Sequence, residues 1–101
     1  MLTKQAVLKS INDFIESASF HGIMLDKVLL FGSYAKGTQH KYSDIDLAVF
    51  SNQFTFNHAD NFKLIQCTKR IPQMQLHLYP VNEYMDNPFV EEIKKDAVEI
   101  V

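Results

Sequence analysis

Two short apolar runs, separated by a polar segment with two glycines, constrain the fold of this chain more than any other feature. The runs KVLLFG (27–32) and DIDLAVF (44–50) have the length and composition of strands. In the second run, apolar residues alternate with Asp44 and Asp46. Because side chains two residues apart on a strand point to the same face, both carboxylates are expected side by side on one face.

Helical periodicity and a third alternating run surround these two strands. Thr3 is the expected N-cap of the first helix, and Phe62 and Ile65 are apolar positions of the second. The order helix, strand, strand, helix, strand, helix predicts an α/β (α+β) protein, a small mixed β-sheet flanked by helices, with the helices on one face. The remaining predicted elements are helices over 3–20 and 57–70, a strand over 72–80, a short helix that begins after Asn87-Pro88, and a final strand or tail over 97–101.

Length and composition restrict the class of protein. The 101 residues suffice for one hydrophobic core, and we expect a single domain over residues 1–101. The 10 basic and 12 acidic residues give a formal net charge of -2, which does not favour a nucleic-acid partner, because phosphate binding usually requires a basic surplus. Cys67 is the single cysteine, and no stretch is typical of a signal peptide or a membrane span. We therefore expect a cytoplasmic protein.

Gly32 and Ser33 end the first apolar run and begin a polar turn. Free backbone N–H groups at such a turn bind anions, and a glycine lets the backbone approach a phosphate closely. The alternative is a plain strand-to-helix turn in which Ser33 caps the helix. A P-loop is excluded, because Thr38 directly follows Gly37 where that motif requires a lysine.

The acidic pair has two interpretations. Two neighbouring carboxylates repel each other unless a cation or a proton compensates the charge, and Mg²⁺ is typically held by one or two carboxylates together with substrate phosphates. The alternative is a solvated pair at the edge of a strand. The phosphate-type turn at Gly32 and Ser33 and the metal-type pair at Asp44 and Asp46 lie on consecutive strands, which usually become neighbours, and this combination favours a nucleotide site.

The segment GSYAKGTQHKYSDIDLAVF resembles the signature of the DNA polymerase β-like nucleotidyltransferase superfamily, in which Gly-Ser is followed by D-x-D on a strand. It is more closely similar to the minimal nucleotidyltransferases (MNT), which are short single-domain members. The resemblance implies that Gly32 and Ser33 bind the phosphates of a nucleoside triphosphate, and that Asp44 and Asp46 are catalytic and hold Mg²⁺. Lys36 stands where the family often has arginine and is expected to support the helix.

One position departs from the family pattern. Most active members place a third carboxylate on a later strand, and the matching position of this chain is Gln75 in MQLHLYP. A glutamine accepts hydrogen bonds but supplies neither negative charge nor a base. His77 lies on the same face two residues further on. Gln75 and His77 are therefore the accessory residues of the predicted site, with His77 as a substitute base or an ordinary partly buried histidine.

The resemblance implies a Mg²⁺-dependent enzyme that transfers a nucleoside monophosphate, most often AMP from ATP, to a hydroxyl on a partner protein. Such small members resemble the antitoxin of a toxin-antitoxin pair whose other half is a HEPN-domain protein. The alternative is a module of the same fold that binds nucleotide or a partner without transfer, because the third carboxylate is replaced by Gln75. A subunit of a larger transferase is a third interpretation.

Overall fold

The computed structural model of the chain describes residues 3–41, 43–52, 58–69, 71 and 73–101. Within these residues, strands and helices follow one another as a mixed α/β structure. The elements are α1 (Lys4–Phe20), β1 (Lys27–Phe31), α2 (Ser33–Lys36), β2 (Ile45–Ser51), α3 (His58–Cys67), β3 (Met74–Pro80), α4 (Glu83–Asp86), α5 (Pro88–Lys94) and β4 (Val98–Glu99).

The first helix begins where the sequence predicts. The Thr3 hydroxyl accepts a hydrogen bond from the Ala6 N–H at 3.1 Å and so satisfies one of the free N–H groups of the first turn. One face of α1 carries four apolar side chains at helical spacing, and they are almost fully enclosed. These buried residues are Val7, Ile11, Phe14 and Ala18.

The four strands form one mixed sheet in the order β3-β2-β1-β4. β1 pairs antiparallel with β2 and with β4, whereas β2 and β3 are parallel. A parallel pair needs a crossover connection, and α3 lies in the connection between β2 and β3. In this register the backbone of Asp46 lies between those of Phe31 on β1 and Gln75 on β3. The predicted fold class, a small mixed sheet flanked by helices, is confirmed.

Helices cover both faces of the sheet, and the expectation of helices on one face alone was wrong. One face packs against α1 and α3, and its strand residues include Ile45, Leu47 and Val49. On the other face, α5 contributes Val90 and Ile93 to a second apolar cluster. The physical reason is that β2 is apolar on both faces beyond Asp46. Its side chains at positions 48 and 50 are also apolar and must be buried on the second face. That second cluster consists of Leu29, Ala48, Phe50, Val90 and Ile93.

The buried side of α3 differs from the predicted one. Leu64 is fully buried and Cys67 nearly so, whereas Phe62 and Ile65 are 62% and 57% exposed. The helix carries apolar residues on more than one side, and its packing against α1 and the sheet selects Leu64 and Cys67. The predicted helix over 57–70 includes positions 57 and 70, which lie outside the described residues.

The C-terminal segment contains one more helix than expected. The four-residue helix α4 was not predicted, but α5 begins after Asn87 as expected, and the Asn87 side chain accepts a hydrogen bond from the Phe89 N–H at 2.9 Å. Of the final segment, Val98 and Glu99 form a short strand against β1. Among the residues described, the chain has no helix that is both long and apolar enough to span a membrane.

Candidate nucleotide and metal site

The turn after β1 is built around the conformation of Gly32. Its φ of 77° and ψ of -154° belong to a region that is almost restricted to glycine. The Gly32 carbonyl accepts hydrogen bonds from the N–H groups of Ala35 and Lys36, both at 3.1 Å, so the chain enters α2 directly after the strand. Gly32, which has no side chain, occupies the N-cap position of this helix, so the alternative of Ser33 as N-cap was wrong.

The acidic pair stands at the beginning of β2. Ser43, which is buried, accepts a hydrogen bond from the His40 N–H at 2.9 Å and fixes the turn that precedes the strand. Ile45 is fully buried on the α1 side of the sheet, so Asp46 must point to the opposite face. Asp44 is exposed, and the Asp46 side chain is 24% exposed. The two predicted carboxylates therefore differ in environment.

Burial is the largest influence on Asp46, and it raises the pKa of this carboxyl above the ordinary value of 3.8. His77 opposes the rise, while the negative charge of Asp44 adds to it. A carboxylate that is partly buried beside a second carboxylate lacks compensation for its charge. The pair is therefore suited to a cation that would supply that compensation.

The turn at Gly32 and the carboxylate of Asp46 are in direct contact. A β-carbon built at position 32 would overlap the Oδ2 atom of Asp46 and lie 3.3 Å from its Cγ. Only a glycine therefore allows the backbone of this turn to lie against that carboxylate. The two motifs that the sequence placed on consecutive strands form one site.

The accessory residues Gln75 and His77 also lie on this face. Gln75 is directly opposite Asp46 on β3, and its side chain is exposed. The Nε2 atom of His77 is 3.9 Å from the Oδ1 atom of Asp46. The distance exceeds that of a hydrogen bond, so the two groups are neighbours without direct bonding.

Phe31 also lies beside Asp46 and His77. Its ring meets the His77 ring in a T-shaped arrangement with centroids 5.0 Å apart. This contact fixes the plane of the imidazole beside Asp46. One feature of the sequence could have indicated this position: Phe31 is the last strand residue before Gly32. In the structure it pairs with Asp46.

A cavity of 260 Å³ opens beside Gly32, between α2 and α5. Phe31, Phe89 and Ile93 line its apolar part. Lys36 lies at its edge with its ammonium group 3.9 Å from the Asp96 carboxylate. This pair links the end of α2 to Asp96, two residues after the end of α5.

Tyr34, Glu83 and Asp86 lie away from the acidic pair. Tyr34 packs against the core on the α1 side. Glu83 and Asp86 lie in α4, beyond the C-terminal end of β3, whereas Gln75 and Asp46 are near the N-terminal ends of their strands. His40 and Lys41 are exposed loop residues, and position 42 is not among the described residues.

The number of carboxylates in the described part of the site limits which metal ions it could hold. In the described part of the chain, no three or more His, Cys, Asp or Glu side chains converge as a metal-binding group. Asp44 and Asp46 nonetheless fit one Mg²⁺ ion whose other ligands are phosphate oxygens and water, because Mg²⁺ usually binds in this way. The donor set therefore leaves positions that the phosphates of a ligand could fill.

Comparisons with known proteins identify the family of this chain. Residues 11–100 match the family model of the nucleotidyltransferase domain. The protein adenylyltransferase MntA of Shewanella oneidensis is 40% identical over 65 residues, which make up 64% of this chain and 41% of that protein. The chain thus spans less than half the length of the curated relatives that it matches.

Solved structures share the fold. A protein of Sulfolobus solfataricus, provisionally named a nucleotidyltransferase, superposes with a TM-score of 0.67 at 22% identity, over 97% of this chain and 87% of that one. A chain of a toxin-antitoxin complex solved with AMP-PNP has a TM-score of 0.59 at 24% identity, over 99% of this chain and 73% of that one. With a family match over nearly its whole length and the corresponding fold, the chain belongs to the nucleotidyltransferase domain family.

Proposed function

We propose that this protein transfers a nucleoside monophosphate, AMP from ATP, to a hydroxyl group of a partner protein. The observation that carries the proposal is the contact between the Gly32 turn and the Asp46 carboxylate. Nucleotidyl transfer needs a triphosphate and a cation at one place. A backbone turn that can receive phosphate and a carboxylate that can hold a cation meet at this contact.

The nucleotide and the partner are supported by the relatives. MntA is named a protein adenylyltransferase, and a related fold occurs in a toxin-antitoxin complex solved with AMP-PNP. We accordingly propose that the chain is the antitoxin of such a pair and that its partner is a HEPN-domain toxin.

Each residue of the site would have a distinct role. The backbone at Gly32 and Ser33 would hold the outer phosphates, so that pyrophosphate leaves from a fixed position. Asp44 and Asp46 would hold Mg²⁺, which supplies positive charge at the reacting phosphate. Phe31 and His77 would keep the acceptor side of Asp46 partly enclosed, and Lys36 would hold α2 in place through Asp96.

A second function follows from Gln75, which lies opposite Asp46 at the position where the family resemblance implies an acid. A neutral amide cannot accept the proton of the acceptor hydroxyl. The chain would then bind nucleotide and partner without transfer. We propose this function as the alternative, and it shares the Gly32 and Asp46 site with the first.

Two measurements test the proposal and separate it from the alternative. The native protein, with Mg²⁺ and labelled ATP, is incubated with the product of the neighbouring gene, and label on the partner is the expected result. Calorimetry with ATP and Mg²⁺ should show binding that the double variant Asp44→Asn/Asp46→Asn loses. Asp13→Asn, an exposed carboxylate on α1, is the matched control and should bind normally.

The outcomes distinguish the two functions. Binding with label on the partner supports transfer. Binding without label supports the non-catalytic module, and Gln75→Glu then tests whether the missing carboxylate is the cause, because a gain of label would show it. Absence of nucleotide binding that depends on the cation would contradict both functions.

A further inference from the structure

We infer that this site holds a single divalent cation together with its nucleotide, and that the acceptor side of Asp46 is lined by neutral side chains in place of a second cation. The inference rests on the proposed function, which it deepens. It concerns the space between Asp46 and β3, where Gln75 and His77 lie.

The register of β2 and β3 identifies the position that a second cation would need. Asp46 and Gln75 are direct partners across the two parallel strands and their side chains share a face, while neighbouring strands lie about 5 Å apart. A carboxylate at position 75 could share a cation with Asp46. Gln75 offers a neutral amide oxygen there, which accepts hydrogen bonds but brings no charge.

No other described acid replaces the missing one. Asp96 lines the cavity beside Gly32 and pairs with Lys36, and Glu83 accepts a hydrogen bond from Asn87 beyond the C-terminal end of β3. Throughout the described ranges, no three His, Cys, Asp or Glu side chains form a group that could hold a metal ion. Among the described residues, a second ion on the β3 side would therefore have Asp46 as its only charged ligand, and Asp46 is already shared with the first.

His77 does not fill this role for magnesium. Its Nε2 atom is the nearest imidazole nitrogen to Asp46, at 3.9 Å, and its ring is held by the edge contact with Phe31. Imidazole is a ligand for zinc, copper and nickel, whereas Mg²⁺ strongly prefers oxygen ligands. Gln75 and His77, the neighbours of Asp46 on β3, thus favour a single cation with oxygen ligands. That cation would lie on the side of Asp46 where Asp44 and the phosphates of the nucleotide are.

Gln75 is then a positioning residue for the acceptor. Its exposed amide can accept a hydrogen bond from a hydroxyl that approaches Asp46 from the β3 side, and it cannot remove that proton.

The number of bound cations tests the inference directly. Mn²⁺, which also favours oxygen ligands, is titrated into the full chain with α,β-methylene-ATP, an analogue that cannot transfer its nucleotidyl group, and electron paramagnetic resonance counts the ions bound per chain. We expect one ion for the native protein and two for Gln75→Glu. Gln66→Glu on α3 adds the same charge on the opposite face of the sheet, and it should bind one ion.

Each result supports or overturns the inference. Two ions in the native protein would overturn it. If His77→Ala then reduced two ions to one, the second ion would be assigned to the imidazole. A single ion in Gln75→Glu would overturn the assignment of position 75, and the native count remains decisive even if that variant does not fold. No bound ion would contradict the proposed function itself, a result distinct from a count of two.

Discussion

Gly32 lies so close to Asp46 that a β-carbon at position 32 would overlap the Asp46 carboxylate. The glycine is required twice, by its φ of 77° and by this approach. Two residues fourteen positions apart in the chain thus depend on each other. The contact defines the geometry of the proposed site and leads to the first prediction.

We expect Gly32→Ala to destabilise the protein more than Gly37→Ala, by at least about 1 kcal/mol in the free energy of unfolding. Both glycines have positive φ, but Gly37 is in the left-handed helical region, where an alanine costs about 1–2 kcal/mol, and its added β-carbon meets nothing within 4 Å. Denaturant unfolding of the two variants measures the difference. Equal losses would mean that the contact with Asp46 is not a constraint.

The raised pKa of Asp46 predicts a dependence of stability on pH. The folded protein keeps the Asp46 proton at a pH where the unfolded chain, with a pKa near 3.8, has released it. Proton binding therefore stabilises the folded state at low pH, and this contribution is lost as pH rises through the folded-state pKa. We expect the cation-free native protein to lose stability relative to Asp46→Asn over that interval.

Unfolding curves of both proteins between about pH 3 and pH 7 measure this difference. Asp13→Asn serves as the control for a change of charge at an exposed site. A native protein that gained stability over Asp46→Asn as pH rose would contradict the raised pKa.

The neighbours of Asp46 should shift its pKa in opposite directions. His77 lowers the pKa and Asp44 raises it. His77→Ala should therefore raise the pKa of Asp46, and Asp44→Asn should lower it. A titration followed by the NMR signal of the Asp46 carboxyl carbon measures both shifts. If both variants shifted the pKa of Asp46 in the same direction, the arrangement of His77 and Asp44 around Asp46 would differ from the one described above.

Adjacent residues of α3 should differ sharply in their effect on stability. Leu64 is fully buried between α1 and the sheet, so Leu64→Ala should cost about 2–5 kcal/mol of unfolding free energy. Ile65 is 57% exposed, and Ile65→Ala should change the stability by no more than about 0.5 kcal/mol. Thermal or denaturant unfolding of the pair tests which side of α3 faces the core. A larger loss of stability for Ile65→Ala than for Leu64→Ala would show that Ile65, not Leu64, faces the core.

Elements with a strong local signal were predictable from the sequence. The Thr3 cap and the apolar face of α1 arise from neighbouring residues, and the alternation around Asp46 places its side chain on one face of a strand. The side of α3 was not predictable, because Phe62 and Ile65 are as apolar as Leu64 and only packing distinguishes them. The short helix α4 has too few residues to carry a periodic pattern.

By itself, the sequence determined the parts of the site: a glycine turn, the carboxylates of Asp44 just before a strand and of Asp46 within it, and a glutamine where the family resemblance implies an acid. Only the tertiary structure decided that these parts meet, with Gly32 against Asp46 and Gln75 beside it on a parallel strand. The physical reason is that local preference acts over a few residues, whereas the register between strands and the face covered by α5 depend on the burial of side chains far apart in the chain.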